Sequence, residues 1–196
     1  MDNKLDTLVT KLKRKTYKPL PSRRVYIPKG NGDVRPLGIS AIENKIVESG
    51  IARILGSIYE ADFFGFSYGF RPNKNAHQAL KVIGDSIHGN PVNYVVEADI
   101  KGFFDNVEDN LLLDFMRIRI KDSSLLFLIE RFLKAGYVDA EHLVITEKGT
   151  PQGSILSPIL ANIFLHYVLD EWFNDIVVNH VSGYSKLVRY ADDCVP

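Results

Sequence analysis

Three aspartates lie at the ends of two short apolar runs that are far apart in the chain. Asp99 lies at the end of "NYVVEADI", and Asp192 and Asp193 follow "KLVRYA". If both runs are strands of one sheet, three carboxylates meet at one edge, where their mutual repulsion favours binding of a cation. Such oxygen ligands suit Mg²⁺, and two ions about 3.5–4 Å apart can support an in-line displacement at phosphorus.

A simpler structure would also explain each of these motifs taken singly. An Asp-Asp pair is common in turns, and Asp99 can cap the junction between a strand and a loop.

Neighbouring residues of a strand point to opposite faces, so only one of Asp192 and Asp193 need contact both ions.

Charge is distributed unevenly along the 196 residues, although the net charge is zero. Residues 1–35 hold ten Lys or Arg against three Asp or Glu, whereas residues 36–196 hold fourteen against twenty-one. A basic arm of this kind can contact phosphates while an acidic body holds metal ions. A solvated basic helix without a partner is the alternative that charge alone leaves open.

The composition, with 45% hydrophobic and 24% charged residues, is that of an ordinary globular protein. Cys194 is the single cysteine, which excludes an internal disulfide and predicts a reducing, cytoplasmic compartment. The N-terminus lacks the apolar core of a signal peptide, and no run is apolar enough to span a membrane. We therefore expect no membrane partner.

Hydrophobic periodicity and turn residues predict an α+β chain, with a basic hairpin lobe and a helix-backed antiparallel lobe. "RRVYIPKGNGDVRPLGIS" is predicted to form a hairpin with its turn at "GNGD". "NYVVEADI" is predicted as a core strand, "SKLVRYA" as the final strand, and residues 137–153 as extended or hairpin structure. Helices are predicted at residues 4–15, 76–87, 109–120, 123–135 and 154–179, and also from Ser40, which has capping-box spacing to Glu43.

Five segments carry a resemblance to a known family. In chain order they are "IPKGNGDVRPLGIS", "FSYGFRPNKNAHQAL", "ADIKGFFDNV", "TPQGSILSPILANIFL" and "RYADD". Together they resemble reverse transcriptases, and most of all the maturases encoded by group II introns. The resemblance implies a polymerase right hand, with fingers at residues 1–98 and mainly palm at residues 99–196, partly interleaved with fingers. The palm would be an antiparallel sheet backed by helices.

The resemblance implies a metal site at the aspartates. "ADIKGFFD" would supply Asp99 as a catalytic residue, with the Ile100 carbonyl as a further ligand. "YADD" would form the catalytic hairpin and supply Asp192 and Asp193. Two Mg²⁺ ions are expected when substrate is bound.

The resemblance also implies a nucleotide site. Phe103 and Phe104 are both expected to bind the nucleotide. Phe104 matches the aromatic residue that closes the sugar pocket, where a ring leaves no room for a 2′-hydroxyl and so favours deoxynucleotides. In "TPQG", the Gln152 amide can donate a hydrogen bond and Gly153 allows close approach of the backbone. A core phenylalanine and a β-turn before a helix are the ordinary alternatives.

Several basic residues in the N-terminal part of the chain are also implied to bind the triphosphate or the nucleic acid. Lys29 and Arg35 flank the hairpin turn and match fingers residues that grip a triphosphate, although two solvated turn charges are the commoner outcome. Arg23 and Arg24 are expected to contact nucleic acid. Arg71 can contact template phosphate or cap a helix, and the sequence does not choose between these roles.

The implied activity is that of an RNA-directed DNA polymerase. Its expected partners are an RNA template with a DNA primer, dNTPs, and the intron RNA that a maturase helps to splice. The alternative is a catalytically silent RNA-binding module that uses the basic arm and the hairpin.

Only three residues follow "YADD". In the family a longer return strand, the rest of the palm and a thumb come next, so the chain is predicted to be an N-terminal fragment, truncated before the thumb, with little activity alone. A missing return strand would expose a sheet edge, which predicts a homodimer of the fragment.

Overall fold

The computed structural model describes residues 2–28, 30, 32–145, 148–150 and 153–196, without the side chains of residues 2 and 3. The helices are α1 (Asp2–Lys13), α2 (Ile42–Tyr59), α3 (Ala76–Gly89), α4 (Phe103–Asn106), α5 (Asp109–Arg119), α6 (Ser123–Leu133), α7 (Ser157–Leu165) and α8 (Val178–His180). The strands are β1 (Ser22–Pro28), β2 (Val34–Ile39), β3 (Ala98–Asp99), β4 (Tyr137–Asp139), β5 (His142–Val144), β6 (Val188–Tyr190) and β7 (Asp193–Val195). The predicted α+β class is therefore present.

The chain divides into two compact units, which we describe separately. The first unit comprises Met1–Ile54 and Phe104–Ser157, and the second comprises Leu55–Phe103 and Pro158–Pro196. Compact units and polymerase subdomains are different divisions, so the assignment of residues 1–98 to fingers and 99–196 mainly to palm stays a prediction.

The first unit contains a four-stranded sheet in the order β2-β1-β4-β5. The predicted hairpin is present, with β1 and β2 antiparallel and Ile27 opposite Arg35. β4 and β5 form a second hairpin, as the extended pattern of this segment predicted, and β4 pairs parallel with β1. Helices α5 and α6 supply much of the apolar core, through Leu112, Leu113, Met116, Ile129, Phe132 and Leu133, all buried.

The second unit contains a three-stranded sheet in the order β3-β7-β6. Its core includes one cluster of Phe173, Leu187 and Cys194 and another of Tyr68, Ala79 and Val188. The helix that begins with α7 continues through two π-helical turns, His166–Asp170 and Phe173–Val177, into α8.

Two predictions about the strands of the second unit are wrong. "NYVVEADI" is not a core strand, because only its last part, β3, pairs, and it pairs at a sheet edge with a strand of three residues. The residues before β3 have no ladder to join, and Tyr94 is 88% exposed. The return strand is not missing, because β7 pairs with β3 on one side and β6 on the other. The edge argument for a homodimer therefore fails, and the homodimer itself stays a prediction.

No helix in the described part of the chain is long and apolar enough to cross a lipid bilayer.

Asp109 is a buried acidic residue at the start of α5, in the first unit. It is only 4% exposed. Burial raises the pKa of Asp109 to about 6, with Lys134 opposing the shift and Glu108 and Glu130 adding to it. The folded state thus binds this proton more tightly than the unfolded chain does, and ionisation of the buried carboxyl destabilises the fold.

Asp109→Asn is expected to raise the free energy of unfolding by about 2–3 kcal/mol at neutral pH. The wild-type protein loses this stability as the pH rises from about 4 to about 6, whereas the amide has no charge to bury. Urea unfolding at about pH 4 and at neutral pH measures the difference. Asp114→Asn, an exposed site on the same helix, should change stability by less than about 0.5 kcal/mol. Equal stability of wild type and Asp109→Asn at neutral pH would contradict the prediction.

Candidate active site

The pairing of β3 with β7 brings two of the three predicted aspartates together. Asp99 lies directly opposite Asp193 in this antiparallel ladder. Residues opposite each other in such a pair project to the same face, with Cβ atoms about 4.5–5.5 Å apart. Both side chains are exposed. Two like charges in this arrangement destabilise the sheet unless a cation neutralises them.

The third aspartate lies in the turn between β6 and β7. The prediction that Asp192 and Asp193 both end one strand is wrong, because β6 stops at Tyr190 and Asp193 begins β7. Ala191 adopts a positive φ of 59°, which allows the chain to reverse within two residues. The backbone at Gly69 approaches this turn so closely that a Cβ there would lie 2.3 Å from the Ala191 nitrogen.

A buried arginine holds this turn from inside the second unit. Arg189 donates from Nε and Nη2 to the two carboxylate oxygens of Asp170, at 2.7 and 2.6 Å, and both side chains are fully buried. Its Nη1 donates to Asn162 Oδ1 and to the Ala191 carbonyl, each at 3.0 Å. Asn162 in turn donates to the Gly69 carbonyl at 2.8 Å. Together these bonds fix the backbone immediately before Asp192.

Sequence reasoning missed this network, although Arg189 stands inside the quoted motif "RYADD". A signal was available. An arginine within an apolar strand is buried only if a carboxylate pairs with it, and Asp170 ends the first π-helical turn of the long helix.

Cys194 follows the aspartates in β7 and is buried. Its Sγ donates to the Ala98 carbonyl at 3.5 Å. Burial raises the pKa of the Cys194 thiol, which disfavours the reactive thiolate, and the side chain packs inside the sheet.

A metal site must be judged from the donors in this sheet. No group of three or more His, Cys, Asp and Glu side chains is arranged to hold a metal ion among the residues that the structure describes. Asp99 and Asp193 nevertheless form a facing pair of hard oxygen donors, and Mg²⁺ commonly takes one or two carboxylates together with water and substrate phosphates. The Ile100 carbonyl accepts the Phe103 N–H at 3.1 Å and keeps a second lone pair. The donor set therefore fits a magnesium ion that is completed by substrate.

The residues predicted to bind the nucleotide fall in different environments. Phe103 is buried and packs edge-on against Phe164 at 6.1 Å, within the second unit. Phe104 belongs to the first unit and is half-buried, and its carbonyl accepts the Thr150 N–H at 2.7 Å. Gly153 also belongs to the first unit.

Two of these predictions, Lys29 and Gln152, lie outside the described residues. Arg35 is exposed on β2, which leaves its guanidinium accessible to an anionic ligand.

The three arginines predicted to contact nucleic acid differ in their accessibility. Arg23 is exposed on β1, and the Arg24 guanidinium stacks over the Tyr137 ring at 3.4 Å. Arg71 binds Glu60 at 2.7 Å and the carbonyls of Phe64 and Ser67.

The Arg71 side chain is only 6% exposed. Of the two roles open to Arg71, these contacts favour the structural one, and a template contact stays a prediction.

Comparison with known proteins identifies the family to which the chain belongs. The reverse transcriptase (RNA-dependent DNA polymerase) family matches residues 27–195, so the chain belongs to that family. Its fold resembles telomerase from Candida albicans in complex with a fragment of telomeric RNA, with a TM-score of 0.68 at 14% identity, over 97% of this chain and 40% of that chain. The predicted reverse transcriptase fold is thereby confirmed.

Among curated relatives, the chain is 45% identical over 166 residues to the group II intron-encoded protein LtrA of Lactococcus lactis subsp. cremoris. That alignment covers 84% of this chain and 27% of LtrA. It is also 36% identical to protein YkfC of Escherichia coli (strain K12) over 177 residues, which cover 89% of this chain and 45% of YkfC. The chain thus spans about a quarter of the length of LtrA, and the predicted resemblance to group II intron proteins is confirmed.

Proposed function

We propose that the protein is an RNA-directed DNA polymerase of the group II intron type that transfers nucleotides by a two-metal mechanism. The observation that carries this proposal is the pairing of β3 with β7, which sets Asp99 opposite Asp193 on one face of a sheet. Two facing carboxylates at a sheet edge have little structural value, since they repel each other. A divalent cation bound between the two carboxylates would neutralise this repulsion.

Asp99, Asp192 and Asp193 would hold the metal, with the Ile100 carbonyl as a further ligand. Mg²⁺ bound there would supply a Lewis acid that activates the primer 3′-hydroxyl and stabilises the leaving pyrophosphate. The chain itself contributes a turn whose backbone is locked by Arg189.

The first unit would bind the nucleotide. Arg35 offers a planar fork of donors to the triphosphate, together with Lys29. Gln152 and Gly153 would pack against the incoming dNTP, and Phe104 would close the sugar pocket. Phe103, the buried neighbour of Phe104 in the chain, is assigned to the same nucleotide site.

Partners follow from the same proposal. An RNA template with a DNA primer and the intron RNA would be bound, with Arg23 and Arg24 on β1 among the contacts. A maturase role in splicing of that intron belongs to the proposal, since LtrA is encoded by a group II intron.

Single-nucleotide incorporation on an RNA template is the test, because it requires chemistry but no processivity. We expect incorporation that depends on Mg²⁺ and stops when the metal is chelated. RNA binding that persists with no incorporation under any divalent cation would instead favour the silent RNA-binding module.

Phe104→Ala is expected to raise the use of ribonucleotides relative to deoxynucleotides by about 10- to 100-fold, because an apolar pocket rejects an added hydroxyl only by steric exclusion. The measurement compares incorporation of the two nucleotide types by the same variant. Phe104→Tyr keeps the ring and should keep the wild-type preference. Unchanged selectivity in Phe104→Ala would remove this residue from the sugar pocket.

A further inference from the structure

One face of α2 carries two polar side chains in the interior of the first unit. Asn44 and Glu48 lie one helical turn apart, and each is 2% exposed. A buried carboxylate is strongly destabilising unless hydrogen bonds replace the water it has lost. The partners of Glu48 therefore indicate what this residue does.

Glu48 joins two segments that are distant in the chain. Its Oε1 accepts a hydrogen bond from Ser40 Oγ at 3.0 Å, next to the end of β2. Its Oε2 accepts the backbone N–H of Ile155 at 2.9 Å. The carboxylate thus ties the residues that follow Gly153 to helix α2.

Gly153 provides the second attachment of the same loop. It has a φ of +101°, and a Cβ at this position would lie 2.6 Å from the Gly38 carbonyl and 2.9 Å from Leu37 Cδ1. The loop therefore rests directly on β2, where only glycine fits. Arg35 lies on that same strand, two residues before Leu37.

We propose that Glu48 is a positioning residue for the incoming nucleotide. It anchors the loop of residues 153–155 to α2, beside the point where Gly153 packs on β2, and so sets the distance between this loop and Arg35, without touching the substrate. This inference rests on the proposed polymerase function, because it assigns dNTP binding to both the loop and Arg35. The anchor itself consists of two hydrogen bonds of Glu48, and it can be tested without measuring polymerase activity.

Two substitutions at this position separate geometry from charge. In Glu48→Gln the amide oxygen can accept the Ile155 N–H while the amide nitrogen donates to Ser40 Oγ, since a hydroxyl both donates and accepts. Glu48→Leu has a similar volume but no acceptor, so the Ile155 N–H and the Ser40 hydroxyl are left unpaired. Glu43→Leu, a partly exposed glutamate on the same helix, is the matched control.

Hydrogen exchange of the Ile155 amide tests the anchor, and nucleotide kinetics test its consequence. In Glu48→Leu we expect exchange at Ile155 to become faster by about 10-fold or more. The KM for dNTP should rise by about 10-fold, with little change in the KM for template–primer. Glu48→Gln and Glu43→Leu should match the wild type in both measurements.

Several results would overturn the proposal. Unchanged exchange at Ile155 in Glu48→Leu would show that Glu48 does not anchor the loop. Faster exchange with an unchanged KM for dNTP would show that the anchor does not position nucleotide. If Glu48→Leu does not fold, Gly153→Ala displaces the loop from β2 by the added Cβ, and an unchanged KM for dNTP in this variant overturns the proposal equally.

Failure of the polymerase function gives a different result. If the wild-type protein incorporates no nucleotide while Glu48→Leu frees the Ile155 amide, the proposed polymerase activity of this chain fails and the anchor is supported.

Discussion

Asp99→Asn is expected to lower nucleotide incorporation by about 10³-fold, since loss of several kcal/mol of metal-dependent stabilisation has this effect on a rate. The substitution is nearly isosteric, so the geometry of β3 should persist. What it removes is one of the two facing carboxylates that would neutralise a divalent cation.

The same variant should not be less stable than the wild type. Asp99 lies opposite Asp193, and removing one of two facing like charges relieves repulsion by up to about 0.5 kcal/mol at an exposed site. A residue whose loss abolishes activity and leaves the fold equally stable is serving function rather than structure.

Magnesium gives this prediction a measurement that does not depend on catalysis. If the ion binds at Asp99, Mg²⁺ should raise the free energy of unfolding of the wild type, because a ligand that binds only the folded state stabilises it. Asp99→Asn should lose this increase. Urea unfolding with and without Mg²⁺ measures both values.

Glu97→Gln is the matched control, because it neutralises an exposed carboxylate two residues earlier in the chain. It should keep both the activity and the response to Mg²⁺. Activity in Asp99→Asn within a few-fold of wild type would remove Asp99 from the metal site. A drop in activity accompanied by a large loss of stability would instead make its role structural.

Arg189→Met is expected to lower the free energy of unfolding by about 3–5 kcal/mol, the typical effect of removing one partner of a buried ion pair. The substitution leaves the Asp170 carboxylate fully buried without its cation. It also removes the donors to Asn162 and to the Ala191 carbonyl, so the turn before Asp192 loses its internal support. Nucleotide incorporation should fall together with stability.

A double-mutant cycle separates the contribution of the Arg189–Asp170 ion pair to stability from the contribution of side-chain packing. Asp170→Leu should cost about as much as Arg189→Met, and the double variant should recover much of the loss, because an apolar pair of similar volume can replace a buried ion pair. Urea unfolding of the four proteins gives the coupling energy.

Asp85→Ala is the matched control, since Asp85 pairs with Lys81 on the exposed face of α3. It should cost less than about 1 kcal/mol. Single variants at Arg189 and Asp170 that are no less stable than Asp85→Ala would refute the proposed importance of the pair. Additive losses in the double variant would show that the two residues do not act as a unit.

Local patterns predicted the elements whose signals lie within a few neighbouring residues. The β1–β2 hairpin formed around its glycine-rich turn, and α3, α5 and α6 begin at the predicted residues. These predictions hold because the apolar period and the turn chemistry act within one element, whatever the rest of the chain does.

Sequence reasoning failed where the outcome depends on a partner strand. Tyr94 belongs to an apolar, β-branched run, yet it is exposed because the neighbouring strand β7 is only three residues long. Asp193 begins β7 rather than ending β6, because the chain reverses at Ala191 so that β7 can pair with β6. An alternating or β-branched pattern indicates a preference for extended structure. Whether that segment pairs depends on which other strand the fold places beside it.

The order and spacing of five motifs in the sequence by themselves determined the family, and the resemblance they carry predicted which acidic residues form the site. Only the tertiary structure decided that Asp99 faces Asp193, that Arg189 is buried against Asp170, and that Glu48 joins α2 to Ile155. The physical reason is distance along the chain. These partners are separated by between 19 and 107 residues, and no local pattern encodes which of many possible long-range contacts closes.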